Sequence, residues 1–326
     1  MIPMPVSYLG IDIAKLSFDV ALLTQDATLK HKKLPNTPEG FKQLDAWLRQ
    51  HLVTNLHACL EATGIYGEAL ARHLHSCGHR VSVVNPAAPK AFARAELSRT
   101  KTDKADAIRI AKYCQAHQPH SWTPPLEEVV TLQALVRRLE ALQQMHQMEQ
   151  LRIESTPAAV LPSVQAVVSV LCEQIKAVEK QIQEHIDSHP GLQDESLLLE
   201  SIPGIGKVTA ARLLGELGNW RRFGSARAAA AYVGLVPRLH ESGTSVRARS
   251  VLCKIGNARL RKALYFPAMN ALRYNPVLQA MSVRLTSAGK SKMAIIGAAM
   301  RRLVQFAYGV LKSGKPFDPE IAMQKV

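Results

Sequence analysis

Cysteine is sparse and unpaired in this chain: Cys59, Cys77, Cys114, Cys172 and Cys253 are far apart and form no CxxC pair. That spacing supports neither a disulfide framework nor a zinc site, and it points to free thiols in a reducing cytoplasm. Long apolar runs are missing too. No stretch reaches the ~18 uninterrupted apolar residues of a membrane span, and Met1-Ile2-Pro3-Met4-Pro5 lacks the basic and apolar regions of an export signal. No membrane association is expected. A Walker phosphate loop is absent: Ser201 stands where that motif needs its first glycine, and Val208 follows Lys207 where it needs Ser or Thr. No Ser-His-Asp spacing is legible. Acidic residues nearly vanish from the last third, where residues 196–326 hold 21 Lys+Arg against 5 Asp+Glu.

What is present gives those absences meaning. The net charge is +15 over 326 residues, and all of the excess lies in 196–326; residues 1–107 carry +3 and residues 108–195 carry −4. A field so segregated attracts polyanions, and phosphate neutralisation dominates non-specific nucleic-acid affinity. Hydrophobic residues make up 47% of the chain, ample for real cores, and the length predicts two or three domains.

Residues 6–115 read as α/β. Strands are predicted at 6–13, 17–23, 28–34, 56–61 and 80–84, and helices at 39–51, 66–77 and about 103–116. The cluster Asn36-Thr37-Pro38-Glu39-Gly40 starts a helix with Phe41, Leu44, Trp47 and Leu48 on one stripe. Three antiparallel strands followed by alternating helix and strand is the order of a ribonuclease-H-like (RuvC-like) fold. Pro119-His120-Ser121-Trp122-Thr123-Pro124-Pro125 reads as a linker. Beyond it, Leu132, Leu135, Leu139 and Leu142 repeat at helical spacing, as do Val164, Val168, Leu171, Ile175, Val178 and Ile182. Two amphipathic helices joined at 156–163 make an antiparallel hairpin or a coiled coil, read here as a spacer and oligomerisation arm. The last part is basic and mostly helical. The expected division is a metal-binding catalytic domain at 1–120, a coiled-coil arm at 121–195 and a third domain at 196–326.

Four acids stand out in the first part. Asp12 interrupts the apolar run Leu9 to Ala14, and Glu61 ends the apolar strand Leu56–Leu60. Asp103 and Asp106, three apart, share one helix face. Carboxylates gathered in this way repel one another, and Mg²⁺ (or Mn²⁺ in its place) is the cation that oxygen-only ligands suit. In a two-metal centre, ions about 3.5–4 Å apart stabilise both the attacking and the leaving oxygens at phosphorus. The expectation is a metal-dependent nuclease centre acting on nucleic acid.

The basic part offers a nucleophile and a phosphate grip. Ser242 and Ser245 are equal candidates on their chemistry, each in a loop flanked by Arg238 and Arg247. A serine hydroxyl needs a base or a metal to become nucleophilic, and nearby arginines would hold the scissile phosphate. Ser201-Ile202-Pro203-Gly204-Ile205-Gly206-Lys207 matches a helix–hairpin–helix pattern, whose glycine-rich amides meet phosphates without reading sequence. Gly204, Gly206, Lys207, Arg238, Arg247, Arg249, Lys254, Arg259 and Arg261 are therefore the expected nucleic-acid contacts.

These residues together resemble a known family. Gly10-Ile11-Asp12-Ile13-Ala14-Lys15, Glu61-Ala62-Thr63-Gly64-Ile65-Tyr66, Val84-Asn85-Pro86, Lys101-Thr102-Asp103-Lys104-Ala105-Asp106-Ala107 and Glu241-Ser242-Gly243-Thr244-Ser245-Val246-Arg247 are similar to motifs of the DEDD transposases of insertion sequences. That family is related to the Piv-type DNA invertases and includes the bridge-RNA-guided serine recombinases. The resemblance runs nearly end to end. It implies that Asp12, Glu61, Asp103 and Asp106 form a RuvC-like metal site and that Ser242, not Ser245, is the catalytic serine. It implies attack on a DNA phosphodiester to give a 5′-phosphoserine link and a free 3′-OH. It also implies donor and target DNA, a noncoding bridge RNA that selects them, and dimers or tetramers in which one protomer's serine completes another's acid site. The expected location is the bacterial cytoplasm, at the nucleoid. Three other readings differ from it. A metal-dependent resolvase or nuclease would use water in place of Ser242. A non-catalytic nucleic-acid-binding protein would not need all four acids. An actin-like sugar kinase would need a Gly-Gly-Thr phosphate loop, which the sequence lacks.

Overall fold

The computed structural model describes residues 6–62, 64, 66–95, 102–238, 241–242, 246–247 and 251–323; at 238, 241–242, 246–247 and 251 only the backbone is described. The chain divides into two compact units, Met1–Pro124 and Pro125–Val326.

The first unit is built on a five-stranded sheet. Strands β1 (Ser7–Ile13), β2 (Ser17–Leu23) and β3 (Leu29–Pro35) form an antiparallel meander, followed by α1 (Pro38–Gln50), β4 (Leu56–Glu61), α2 (Glu68–Ser76), β5 (Arg80–Val84), α3 (Ala87–Ala95) and α4 (Asp103–His117). The strand order is β3-β2-β1-β4-β5, with β4 parallel to β1 and β5 parallel to β4. This mixed order matches the ribonuclease-H-like arrangement expected from the sequence. Thr37 caps α1 by accepting a hydrogen bond from the Gly40 amide, and Pro38 occupies the first turn, where its missing N–H is harmless.

Period-2 alternation sorts the sheet residues between two covered faces. Leu9, Ile11, Val20, Leu22, Ala58 and Leu60 pack with Phe41, Leu44 and Leu48 of α1 and Leu70 and Leu74 of α2. The opposite face puts Ala21, Leu23 and Cys59 against Ala107, Ile110, Ala111 and Cys114 of α4. Gly10 lies beneath α4, where a Cβ would fall on the Ala107 carbonyl and the Ala111 amide.

The second unit is mostly helical. It comprises α5 (Glu127–Ile153), α6 (Leu161–Asp187), α7 (Pro190–Glu200), α8 (Lys207–Leu217), a 3-10 turn at Trp220–Arg222 and α9 (Ala226–Tyr232). Short strands β6 (Pro237–Arg238), β7 (Glu241–Ser242), β8 (Val246–Arg247) and β9 (Val251–Leu252) follow, pairing β6 with β9 and β7 with β8. Helices α10 (Ala258–Ala263), α11 (Tyr265–Tyr274), α12 (Pro276–Ser287), α13 (Lys292–Ser313) and α14 (Pro319–Met323) complete it. Helices α10 and α11 do not run on as one; the chain breaks between them at Leu264. Pro267 is the reason, because its ring would clash with the Ala263 carbonyl in a continuous helix. Asn275 then caps α12 through the Val277 and Leu278 amides, ahead of Pro276.

Helices α5 and α6 run antiparallel, as contacts at both ends demonstrate: His146 Nε2 lies 3.2 Å from Cys172 Sγ, and His185 Nε2 lies 2.8 Å from the Glu128 carbonyl oxygen. Leu132, Leu139, Leu142, Leu171, Val178 and Ile182 are buried as their spacing predicted, whereas Leu135 and Ile175 are only partly buried. This hairpin does not stand apart as a separate compact unit ending near residue 195. Its core continues without a gap into Ile202, Leu213, Leu214, Leu264 and Leu303. Glu216 of α8 ties the two regions together: it is 7% exposed, accepts from Arg137 Nε of α5 at 3.1 Å, and accepts from Asn257 Nδ2 at 2.7 Å. The two compact units meet at Pro124 and Pro125, and one apolar core runs across residue 195. Helices α6 and α13 are long and apolar enough on average to cross a bilayer, but α13 is largely buried in this core and α6 is half of the hairpin.

Two substitutions test these contacts. Gly10→Val should destabilise the first unit by about 2–3 kcal/mol or more through overpacking against α4, read by urea denaturation. Glu216→Ala should cost the second unit about 1–3 kcal/mol by stranding Arg137 and Asn257, read the same way.

Candidate active site

Asp12 and Glu61 stand at the carboxyl ends of adjacent parallel strands, each one residue beyond the paired Ile11 and Leu60. Both share the parity of the residues beneath α4, so both fall on that face. The same helix begins at Thr102, whose side chain accepts from the Ala105 amide, and carries Asp103 and Asp106 in its first turn. The structure therefore brings strand ends β1 and β4 and the α4 N-terminus to one edge of the sheet. Carboxylates are favoured in that first turn by the helix dipole.

The electrostatics report the same convergence. Burial, then the charges of Asp103 and Asp19, hold the Asp12 carboxyl above the usual carboxylate range; the Ile13 amide and Arg109 pull the other way. Burial also raises Glu61, with Asp12 adding to it and Lys90 and Arg109 opposing. Asp106 is ion-paired with Arg109, one turn along α4. Asp103 is paired with Lys33 Nζ of β3 at 3.5 Å.

Sequence reasoning missed five neighbours. Asp19 of β2 lies directly opposite Asp12 in the antiparallel register, and it is 5% exposed. Lys33 Nζ is ion-paired with it at 3.2 Å and His31 Nε2 lies 2.8 Å from it, both from β3 and both on the same face. Its signal was the one that drew notice to Asp12, an acid in an apolar strand, Phe18-Asp19-Val20. Arg109, Lys33 and Lys90 complete a cationic fringe around the acids, and nothing in their spacing marks it. Helix α3, which carries Lys90, was not anticipated; Asn85 starts it by accepting from the Ala87 amide.

The donors Asp12, Glu61, Asp103 and Asp106 are all oxygens, and burial, with neighbouring carboxylates adding to it, raises Asp12 and Glu61. That set fits a hard divalent cation such as Mg²⁺. Lys33 and Arg109 supply counter-charge to Asp103 and Asp106.

The basic unit holds the remaining candidates. Ser242 pairs with Val246 across the β7–β8 hairpin, and Glu241 pairs with Arg247. Arg238 lies on β6 opposite Val251. Arg249 and Ser245 lie outside the described residues. Gly204 sits in the turn between α7 and α8 with φ +104°, and a Cβ there would strike Ala271 of α11. Gly206 is the N-cap of α8, has no side-chain cap bond, and opens to free space; Lys207 follows it, exposed. The first amides of α8 thus face outward beside a cation, which suits an anion. Lys254 and Arg259 are exposed, whereas Arg261 donates from Nη1 to the Val233 carbonyl at 2.9 Å and braces the turn at Gly234. An open groove of about 390 Å³ is lined by Gln143, Gln147, Thr209, Arg259, Lys262 and Phe266. Phe266, 76% exposed, was not singled out from sequence, where a single aromatic residue among cations carries no periodic mark.

The chain was compared with known proteins. A profile described as "Transposase IS116/IS110/IS902 family" matches residues 196–282, and a DEDD profile of the IS110 type, described as a transposase, matches residues 9–161. The pilin gene-inverting protein of Moraxella lacunata is 37% identical over 322 residues, covering 98% of this chain and 99% of that protein. Its counterpart in Moraxella bovis is 36% identical over the same length and coverage. The transposase for insertion sequence element IS1328 of Yersinia enterocolitica is 26% identical over 349 residues, covering 96% of this chain and 99% of that one.

A carboxyl raised in the folded state binds more protons folded than unfolded, so stability falls as pH rises from about 4 through the raised value. Asp12→Asn should therefore melt about 1–3 °C above the parent at pH 7, an advantage that shrinks toward about pH 4. Calorimetry at the two pH values is the check; equal melting at pH 7 would show that the acids impose no strain.

Proposed function

The chain belongs to the IS110/IS116 family of DEDD transposases, and from that premise we propose that it is a DNA recombinase that excises, inserts or inverts a DNA segment. The observation that carries this reading is the gathering of Asp12, Glu61 and the first turn of α4 at one sheet edge, in a chain whose last third is strongly basic. Carboxylates raised by burial, with like charges beside them, are poor choices for stability and are suited to chemistry.

In this reading, Asp12, Glu61, Asp103 and Asp106 hold Mg²⁺, or Mn²⁺ in its place. Bound there, the ion supplies positive charge to a scissile phosphate. Ser242 Oγ forms a bond to phosphorus and the P–O3′ bond breaks, leaving a 5′-phosphoserine and a free 3′-OH. The serine proton passes to the acid cluster, and the departing 3′ oxygen takes up a proton. A 3′-OH from the exchanged strand then attacks the phosphoserine, reforms a phosphodiester and returns Ser242, so no water is consumed. Gly204, Gly206 and Lys207 at the α8 start, with Arg238, Arg247, Arg249, Lys254 and Arg259, hold phosphates. Phe266, exposed in the groove beside Arg259 and Lys262, offers a face on which a base can stack.

Donor and target DNA are the proposed substrates, and base pairing with a noncoding bridge RNA of the element selects them, leaving the protein to read backbone and shape. The α5–α6 hairpin serves as a coiled-coil contact between protomers in a dimer or tetramer, and the acid site works with the serine of its own or a partner chain. The α7–turn–α8 segment acts as a helix–hairpin–helix. The enzyme works in the cytoplasm on nucleoid DNA.

The full-length likeness to gene-inverting proteins favours inversion of a resident segment as a second outcome of the same chemistry. Supercoiled plasmids carrying the element's ends, in direct or inverted orientation, separate the two. With Mg²⁺ present, Ser242→Ala should lose the covalent protein–DNA adduct on denaturing gels and lower strand exchange by about 10³-fold or more. Asp12→Asn should do the same. Undiminished cutting by Ser242→Ala would assign the chemistry to water and to a resolvase-like nuclease.

A further inference from the structure

We propose that Asp45, His73 and Cys77 form a zinc site on the face of the sheet opposite α4. Asp45 lies on α1, His73 on the last turn of α2, and Cys77 is that helix's C-cap. Asp45 Oδ2 is 2.9 Å from His73 Nε2, and His73 Nε2 is 3.8 Å from Cys77 Sγ. All three donor atoms lie within 4.8 Å of one another. Zinc bonds of about 2.0–2.3 Å at tetrahedral angles put neighbouring donors about 3.3–3.6 Å apart. The two measured edges fall on either side of that span, so seating an ion asks only for small side-chain movements.

The backbone that carries these donors is already fixed. Leu44 and Leu48 of α1 and Leu70 and Leu74 of α2 share one buried cluster over the sheet. His73 and Cys77 are four residues apart, one helical turn, which aligns their side chains. The Phe41 ring, 5.4 Å from the His73 ring between centroids, limits how the imidazole can turn. Cys77 is exposed, so an ion can enter, and the fourth coordination position remains open to water.

The donor chemistry selects the metal. One thiolate, one imidazole and one carboxylate suit zinc, whereas Mg²⁺ prefers oxygen alone. The site therefore does not compete for the ion expected among Asp12, Glu61, Asp103 and Asp106. On binding, Cys77 gives its thiol proton to solvent and its sulfur bonds the ion. The result is a clasp between α1 and α2. No sequence motif announces it, because Asp45 is 28 residues from His73 and Cys77 has no cysteine partner nearby.

The full-length protein, stripped with a chelator, should be titrated with Zn²⁺ against a chromophoric chelator and with Co²⁺ by absorption. The expected results are one zinc per chain and a near-ultraviolet thiolate-to-cobalt band. Cys77→Ser should abolish that band, and both Cys77→Ser and Asp45→Asn should weaken zinc binding by more than about 10-fold, the loss that removing even an outer partner can cause. Zinc, but not Mg²⁺, should protect Cys77 from alkylation as read by peptide mass spectrometry, a test that requires no variant. Asp12→Asn should change none of these. A missing cobalt band, a band that survives in Cys77→Ser, or alkylation of Cys77 unaffected by zinc would overturn the site.

Discussion

Gly10 has no side chain because α4 occupies the space one would need. The Ala107 carbonyl and Ala111 amide lie against that strand position, and Ala107 and Ala111 are themselves small and fully buried. A helix laid so close to the central strand has little freedom to slide. Its first turn is therefore held at the edge where β1 and β4 end, and Asp103 and Asp106 are delivered to Asp12 and Glu61. A bulkier residue at position 10 would push the helix away and dissolve the cluster without touching an acid.

The acids do not stand in this arrangement unaided. Asp19 adds a fifth carboxylate to the same face; Lys33 offsets its charge and His31 is hydrogen-bonded to it. Lys33 and Arg109 also reach Asp103 and Asp106. Negative charge is thus concentrated and partly balanced, while the burial of Asp12 and Glu61 leaves their ionised forms strained. Stability is given up at this edge and recovered in the two apolar faces of the sheet.

In the second unit the equivalent constraint is Glu216, a buried carboxylate that joins α5 to α8 and to the turn before α10. Gln133 adds a bond from α5 to the Gly215 carbonyl at 2.9 Å. These contacts root the long α5–α6 hairpin in the same core as the α7–α8 turn and the basic helices. Oligomerisation and phosphate binding, proposed for those elements, would therefore act through one rigid body.

Much of this was legible from residue order. The strands at 17–23, 56–61 and 80–84 and the stripe Phe41, Leu44, Trp47 and Leu48 appear as periodicity indicates, because burial on one face leaves a repeating mark. The acids Asp12, Glu61, Asp103 and Asp106 were legible for the opposite reason: each breaks an apolar pattern or repeats at helical spacing. Helix α3, the break at Leu264 and the merging of the hairpin with the basic helices were not, since each depends on a long-range contact or on one proline within a helical pattern. Asp19, His31, Lys33, Lys90 and Arg109 were invisible as a group because they come from β2, β3, α3 and α4, elements that only the fold brings together. Asp45, His73 and Cys77 escaped notice because only the packing of α1 beside α2 brings Asp45 to the other two. Sequence alone determined which residue types this chain has for binding a cation and a polyanion. Tertiary structure decided which of them meet, because only a sheet with a helix pressed on its one glycine brings acids far apart in the chain to a single edge.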